Sequence, residues 1–401
     1  MKRFVFSIVC VCAVTAFAQD SKSTPPRATA NPVISDEDHV QAVRDYWTPE
    51  RLAAALPMPI PRVDPASVEP NSAPVAVGPR GSAPGALPAV RIEPATEASP
   101  DRFPLNQGDD ADRDAIATPD GFNYEMPFNN YRSGNNNQYP YATIGKLFFT
   151  IPAGASEKPG GYVCSAAVVG NTRIVVTARH CMFDYVSKKW YSNWVFYPQW
   201  NNGGSKTVGG ITSSGQPGAW FPNQEYTWVS TNTLSLTSGW DIGILVMHDS
   251  NGKGCGDSTG THSIGHFTGY LGYNYGGDYS QRQWNIFGYP QAAPFEGNYL
   301  YQDTGATGAV NPFGSNHVVE AGNPQTGGTS GGPWILGFDP GPATDPSPIN
   351  NTTGGGSDMA NGVNSFQWTA NPDEPLAING TVFTQDNFLN LYNGALKLTC
   401  N

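Results

Sequence analysis

The run Gly327-Gly328-Thr329-Ser330-Gly331-Gly332-Pro333 sets a serine among four glycines and closes it with a proline. Glycines let the backbone take positive φ and turn its N–H groups toward one point. N–H groups that converge in this way cradle negative charge. A hydroxyl in such a cradle can attack a carbonyl and leave the resulting oxyanion held. Serine needs a base to take its proton, and imidazole titrates near working pH. Of the six histidines, His180 alone has a distinctive setting. It ends the run Ile174-Val175-Val176-Thr177-Ala178-Arg179-His180 and is followed by Cys181. His39 lies in a low-complexity stretch, and His248, His262, His266 and His317 have ordinary surroundings. The imidazole needs a carboxylate to orient it and to stabilise its charged form. Asp241, in Gly239-Trp240-Asp241-Ile242-Gly243-Ile244-Leu245, stands at the mouth of an apolar strand. A carboxylate there must have a partner, because burying it unpaired would force it to neutralise. Asp184 is nearer His180 in the chain but sits in a polar turn, and Asp249 and Asp257 read as caps or turns.

The elements that must position these groups are mostly short strands. Lys146–Ile151, Ser165–Val169, Arg173–Thr177, Ile242–Met247, Asn285–Tyr289 and Pro333–Leu336 are β-branched or apolar runs of strand length, and Gly170-Asn171 turns the second into the third. The last element is helical: Thr384 caps it, Asp386 suits its first turn, and Phe388, Leu391, Tyr392 and Ala395 share a face. Residues 338–362, rich in Gly, Pro, Asp and Asn, read as a long surface insertion. The pattern is all-β with a C-terminal helix, which a pair of barrels or a sandwich would satisfy.

The chain has 401 residues, a net charge of −11 and only 14% charged residues, with no basic stripe. That balance argues against a nucleic-acid surface, and the length is enough for a sizeable core. Lys2 and Arg3, the apolar Phe4–Val14 and the small-x-small Ala16-Phe17-Ala18 form a secretory leader, residues 1–18. Its apolar stretch is too short to span a bilayer, so export with no membrane association is expected. Cys10 and Cys12 leave with the leader. Cys164, Cys181, Cys255 and Cys400 remain, an even number suited to two disulfides in an oxidising compartment. Their spacing offers no metal-ligand pattern, so no metal or cofactor is expected.

Residues 19 to about 120 hold 17 of the 35 prolines but only three aromatics, Tyr46, Trp47 and Phe103. Such a segment buries little apolar surface and should be largely extended or disordered. One stretch is an exception. Thr48, Pro49 and Glu50 supply an N-cap, a first-position proline and an early acid for a short helix through Leu56. We read 19–130 as a propeptide and 131–401 as the functional domain, with Arg132-Ser133 and the following Asn-rich stretch as exposed candidates for processing.

Thr177-Ala178-Arg179-His180-Cys181, Trp240-Asp241-Ile242-Gly243-Ile244-Leu245 and Gly328-Thr329-Ser330-Gly331-Gly332-Pro333, in that order, resemble the three active-site blocks of trypsin/chymotrypsin-like serine proteases. Phe287-Gly288-Tyr289-Pro290 resembles a block of the secreted microbial branch related to V8-like glutamyl endopeptidases. The resemblance spans roughly residues 140–401. It implies two packed six-stranded antiparallel β-barrels with the site between them. His180 would be the base, Asp241 its orienter, Ser330 the nucleophile, and the N–H groups of Gly328 and Ser330 the oxyanion hole. It also implies a Cys164–Cys181 disulfide at the histidine corner, worth on the order of 3 kcal/mol in the chain-entropy model. Cys255 and Cys400 are then left to tether the C-terminal helix.

The sequence departs from the family in two places. The trypsin branch has an aspartate before the nucleophile that pairs with the newly cut N-terminus, and here Thr329 stands there. Processing should therefore unblock the site without burying a new amine. The residue six before Ser330 is Pro324, which removes the acid of a trypsin-type pocket, and Asn364 stands where glutamyl endopeptidases carry histidine. Gln325, Thr326, Asn364, Ser365 and Phe366 then describe a neutral first pocket. The resulting expectation is a monomeric, secreted endopeptidase made as a zymogen, whose partners are polypeptide substrates and its own propeptide. The alternative is a non-catalytic binding or adhesion protein on the same fold. Asn350, Asn351 and Asn379 lie in N-x-T sequons.

Overall fold

The computed structural model describes residues 27–32, 36–68, 78–89, 126, 128–133, 138–205, 211–213, 216–229, 236–250, 261–339, 357–369 and 377–399. The leader, Cys255, Cys400 and the sequons at Asn350 and Asn351 lie outside the described residues. The N-terminal segment contributes β1 (Ala28–Ala30), α1 (Glu37–Tyr46), α2 (Pro49–Ala54), β2 (Leu56–Pro57), β3 (Arg62–Val63) and β4 (Gly81–Ala83), followed by β5 (Phe128–Arg132). Next come β6 (Ile144–Ile151), β7 (Gly160–Val168), β8 (Ile174–Thr177), the small pair β9 (Phe183–Asp184) and β10 (Lys189–Trp190), and β11 (Ser192–Pro198). The short strands β12 (Trp200–Asn201), β13 (Gly204–Ser205), β14 (Ile211–Ser213) and β15 (Gln216–Ala219) lead to β16 (Pro222–Trp228) and β17 (Gly243–Met247). After α3 (Ile264–Thr268) follow β18 (Gly272–Tyr275), β19 (Gln283–Gly288), β20 (Tyr301–Val310), β21 (Val318–Gly322), β22 (Pro333–Leu336), β23 (Met359–Trp368) and β24 (Ala377–Val382). A π-helical turn, Gln385–Leu389, runs into α4 (Asn390–Leu396).

The fold is all-β and built around two sheets. In the second, β22-β19-β20-β21-β24-β23 is closed by a β22–β23 pairing, making a six-stranded antiparallel barrel. In the first, β16-β17-β8-β7-β6-β11 are hydrogen-bonded in that order. Their ends meet through a single bridge, where Phe196 and Trp220 exchange both backbone bonds. The apolar runs read as strands form these barrel staves. All eight residues of β6 and all five of β17 are buried, as expected for strands covered on both faces. The C-terminal helix is capped as expected. Thr384 accepts from the Asn387 N–H while the Asn387 side chain reaches back to the Thr384 N–H, and Phe388, Leu391, Tyr392 and Ala395 are buried.

Two expectations need correction. The insertion over 338–362 ends earlier, because Met359 already opens β23. Arg132-Ser133 is not an exposed bond: Arg132 ends β5 in register with Tyr301, and the Ser133 N–H donates to Leu300 O with Ser133 buried. Asn379, in its sequon, is also buried inside β24.

The helix read at Thr48 is α2, with Thr48 accepting from the Arg51 N–H, but it is not the one exception to an extended segment: Asp36 caps a ten-residue helix, α1, whose Val40 and Val43 are buried against the barrel. The described parts of the N-terminal segment wrap the barrels. β1 adds antiparallel to β16, β2 parallel to β7, β3 parallel to β23 and β4 antiparallel to β18. Val40 and Val43 of α1 enter the main core, and Trp47 follows them. Trp47 lies edge-on to Phe148 and donates from Nε1 to Asn193 O.

Candidate active site

Strand pairing brings His180 and Asp241 together. β8 runs antiparallel to β17 with Thr177 opposite Gly243, so the chain leaving β8 and the chain entering β17 lie at one end of the sheet. His180 is in a 3-10 turn, Arg179–Cys181, directly after β8, and a Cys164–Cys181 disulfide ties that turn to β7. His180 Nδ1 is 2.8 Å from Asp241 Oδ2, and the His180 backbone N–H donates to Asp241 Oδ1 at 2.9 Å. Ser365 Oγ donates to Asp241 Oδ2 at 2.5 Å. The carboxylate is fully buried with every contact aimed at fixing the imidazole. Burial alone would push the Asp241 carboxyl up. The His180 imidazole, its hydrogen bond, the Arg179 guanidinium and the Ser365 hydroxyl outweigh it and hold the acid below its usual range.

Ser330 reaches this corner from the other barrel, on the loop between β21 and β22. The first barrel grips that loop directly. The Ser165 N–H donates to Ser330 O at 2.8 Å, and Ser165 Oγ donates to Gly328 O at 2.9 Å. Cys181 Sγ lies 3.8 Å from Ser330 O, which places the nucleophile candidate beside the histidine turn. The fit demands glycine at Gly331, with φ 81°, where a Cβ would come within 2.1 Å of Thr177 Oγ1. Gly328 has φ 97°. The carbonyl of Gly327 accepts from the N–H groups of Gln291 and Ala292, at 2.8 and 3.2 Å. With that oxygen pinned, the planar peptide turns the Gly328 N–H the opposite way, where it donates to Met58 O at 3.0 Å.

Thr329 is wholly buried. Its hydroxyl donates to Gln325 Oε1, and Asn364 Nδ2 donates to Thr329 Oγ1 at 3.0 Å. Asn364 Nδ2 also faces Phe287 O at 2.9 Å, and Trp334 Nε1 donates to Asn364 Oδ1 at 2.7 Å. Thr326 Oγ1 donates to Ala292 O at 2.6 Å. The residues read as a pocket therefore gather around the serine loop, with their polar groups committed to one another and to backbone. Ser365 belongs to the carboxylate, and Phe366 packs with Leu236 and Val318. Asp184 binds Ser156, Val186 and Ser187 and takes no part in the site. Cys164, His180 and Cys181 come close enough to suggest a metal trio, but both sulfurs are in the disulfide.

Two features were missed in the sequence. Arg179 is fully buried beside Asp241 and 5.3 Å from the Tyr185 ring; burial pushes its guanidinium down and Asp241 opposes that shift. The basic residue inside an otherwise apolar corner was the available signal. The second is the stretch from Ala55 to Val63, whose prolines alternate at Pro57, Pro59 and Pro61 and which crosses the site. Ser330 Oγ and His180 Nε2 are both sealed from solvent, and neither has a hydrogen-bond partner.

No family model matches the chain, and no curated protein matches it. Among solved structures, the thermostable serine protease AL20 from an extremophilic microorganism is 26% identical over 64% of this chain and 97% of its own, with a TM-score of 0.46. The protease Anisep from Arthrobacter nicotinovorans is 24% identical over 63% of this chain and 95% of its own, with a TM-score of 0.47. A Glu endopeptidase is 15% identical over 66% of this chain and 95% of its own, with a TM-score of 0.44. In structure, the chain is similar to these proteases.

Proposed function

We propose that this chain is a secreted serine endopeptidase, made as a zymogen, that hydrolyses peptide bonds through an acyl-enzyme on Ser330. The observation that carries the reading is the buried His180–Asp241 pair at 2.8 Å, presented beside the glycine-flanked loop that carries Ser330. Ser330 Oγ attacks the substrate carbonyl while His180 Nε2 takes its proton. Asp241 fixes the tautomer through Nδ1 and stabilises the imidazolium. The oxyanion is met by the Gly328 and Ser330 N–H groups, each worth roughly 10²–10³ in rate where such donors have been removed. His180 then protonates the departing amine, and water repeats the sequence in reverse to free the acid. No bound metal is required by any of these steps.

A neutral first pocket is supported by Gln325, Thr326 and Asn364, uncharged side chains whose polar atoms are committed to one another and to backbone. Among the described residues no helix is long and apolar enough to cross a membrane. A fluorophosphonate probe tests the reading. Processed protein should be labelled at Ser330 and lose the label in Ser330→Ala. Absence of labelling together with absence of peptide turnover would leave the non-catalytic binding protein as the better account.

A further inference from the structure

Residues Ala55–Val63, Ala-Leu-Pro-Met-Pro-Ile-Pro-Arg-Val, cross the cleft from one barrel to the other. Leu56 and Pro57 run parallel to Tyr162 and Val163 of β7, and Arg62 and Val63 run parallel to Gln367 and Trp368 of β23. Between these anchors the Met58 N–H donates to Val163 O at 2.9 Å, and the Met58 carbonyl takes the Gly328 N–H. The strap offers carbonyls at a spacing of three. Ala55 O accepts from Gln291 Nε2 at 2.6 Å, Met58 O from Gly328 N, and Pro61 O from Gln367 N at 2.9 Å. Three residues per turn is the repeat of polyproline II, and Ala55, at φ −63° and ψ 133°, is near that conformation. Alternate prolines hold the strap in it before it binds. Met58 is buried, Ile60 packs against the Trp284 and Trp334 cluster, and Val63 packs with Phe366 and Leu236.

We infer that the catalytic cleft is a binding site for a proline-alternating apolar peptide in the polyproline conformation, and that Ala55–Val63 is its resident, uncleaved occupant. The inference rests on the proposed role of Ser330 and on Asn364–Phe366 as the wall of the first pocket. In that reading the acyl half of a substrate lies along β23 and the amine half leaves toward β7. The strap lies the other way, its N-terminal end on β7 and its C-terminal end on β23. Its Met58 carbonyl takes one of the two expected oxyanion donors, the Gly328 N–H, while the chain runs opposite to a substrate. The nitrogen that follows belongs to Pro59, whose ring carbon replaces the N–H hydrogen and adds bulk beside the bond that would break. Direction and chemistry both protect the strap, so a peptide of this class is an inhibitor and not a substrate.

The test uses the full chain, the processed enzyme and a capped nonapeptide of the Ala55–Val63 sequence. Fluorophosphonate should label Ser330 in the intact wild-type chain at least about tenfold more slowly than in the processed enzyme, since only the strap-free fraction reacts. Ile60→Asp in the intact chain should recover most of the lost rate, and the triple variant Pro57→Ala, Pro59→Ala, Pro61→Ala, which keeps every contact residue, should recover part of it. In trans the nonapeptide should inhibit the processed enzyme competitively and be recovered whole, whereas its alanine-for-proline counterpart should bind roughly tenfold or more weakly. Equal labelling of intact and processed chains, or cutting of the nonapeptide between Met58 and Pro59, would overturn the inference while leaving the nucleophile intact. Failure of the processed enzyme to label at all would instead remove the reading of Ser330 on which it rests.

Discussion

Thr329 sits between Gly328, the proposed oxyanion donor, and Ser330, the proposed nucleophile, and its environment says how the serine loop is kept in shape. In the trypsin branch an aspartate there needs a newly made amine. Here a neutral hydroxyl is held on both sides, by Gln325 as acceptor and Asn364 as donor. The Gly327–Gly328 peptide is fixed with the N-terminal segment in place, because Gly327 O accepts from the Gln291 and Ala292 N–H groups. Thr329→Val keeps the volume but takes the hydroxyl donor from Gln325 Oε1 in a fully buried place, while Asn364 Nδ2 keeps Phe287 O and Thr329 O. The expected cost is about 1–3 kcal/mol of stability, with kcat lowered more than KM is raised, read from denaturant melts and steady-state kinetics. Acetylating the N-terminus of the processed enzyme should leave its activity unchanged, and loss of activity on acetylation would mean that a buried amine orders the site after all. Asp241→Asn should lower kcat by roughly ten-thousandfold, because an amide would favour the wrong imidazole tautomer. The candidate triad was legible in the sequence because each member sits in a short local block. The network around Thr329 was not, because its partners are 4, 35 and 77 residues apart and meet only when the barrel closes.

Strands long enough to carry a pattern were readable and the others were not. β17 is a continuous apolar run, and β6 and β8 are nearly so, and a run of that kind has one stable fate, a stave covered on both faces. β1 to β4 are two or three residues each, too short for any period, and exist because barrel edges and exposed backbone groups accept them. β1 makes this dependence measurable. Asn31, just beyond it, donates from Nδ2 to Glu225 Oε2 at 2.9 Å and from its backbone N–H to Glu225 O. Burial pushes the Glu225 carboxyl up to about 8, against the smaller opposing effect of Asn31. With β1 docked the acid keeps its proton; with β1 released it faces water and ionises near its ordinary value. The released state therefore binds fewer protons between about pH 5 and pH 8, and docking weakens as pH rises through that window. The protection of the Ala28–Ala30 amides against exchange, taken relative to the base-catalysed rate of a free amide at each pH, should fall over this range in the wild type, and Glu225→Gln should flatten the dependence. A docking strength that does not change between pH 5 and pH 8 would place the proton elsewhere.

Across the whole molecule, the proline-rich segment belongs to the architecture as much as to the precursor's chemistry. Its composition, poor in aromatics, gave no sign that it would be anchored by a borrowed core: Trp47, one of only three aromatics there, is 1% exposed and rests edge-on against the buried Phe148 of β6. From that anchor the chain passes through the cleft to β23 and on to β18, so one segment touches both barrels. Loss of the anchor should be felt far from the residue. Trp47→Ala removes a buried indole and its hydrogen bond to Asn193 O, at a cost of roughly 3–5 kcal/mol. The intact chain should melt several degrees lower and label at Ser330 faster, because the strap that follows is no longer held at its N-terminal end. Leu56→Ala, at a side chain 54% exposed within the same strap, should change the melting point little. The processed enzyme, freed of the segment, should melt identically whichever of the two precursors it came from. If Trp47→Ala lowered the melting point but left labelling of the intact chain as slow as in the wild type, the anchor and the strap would be independent. The cleft would then be closed by its own contacts alone.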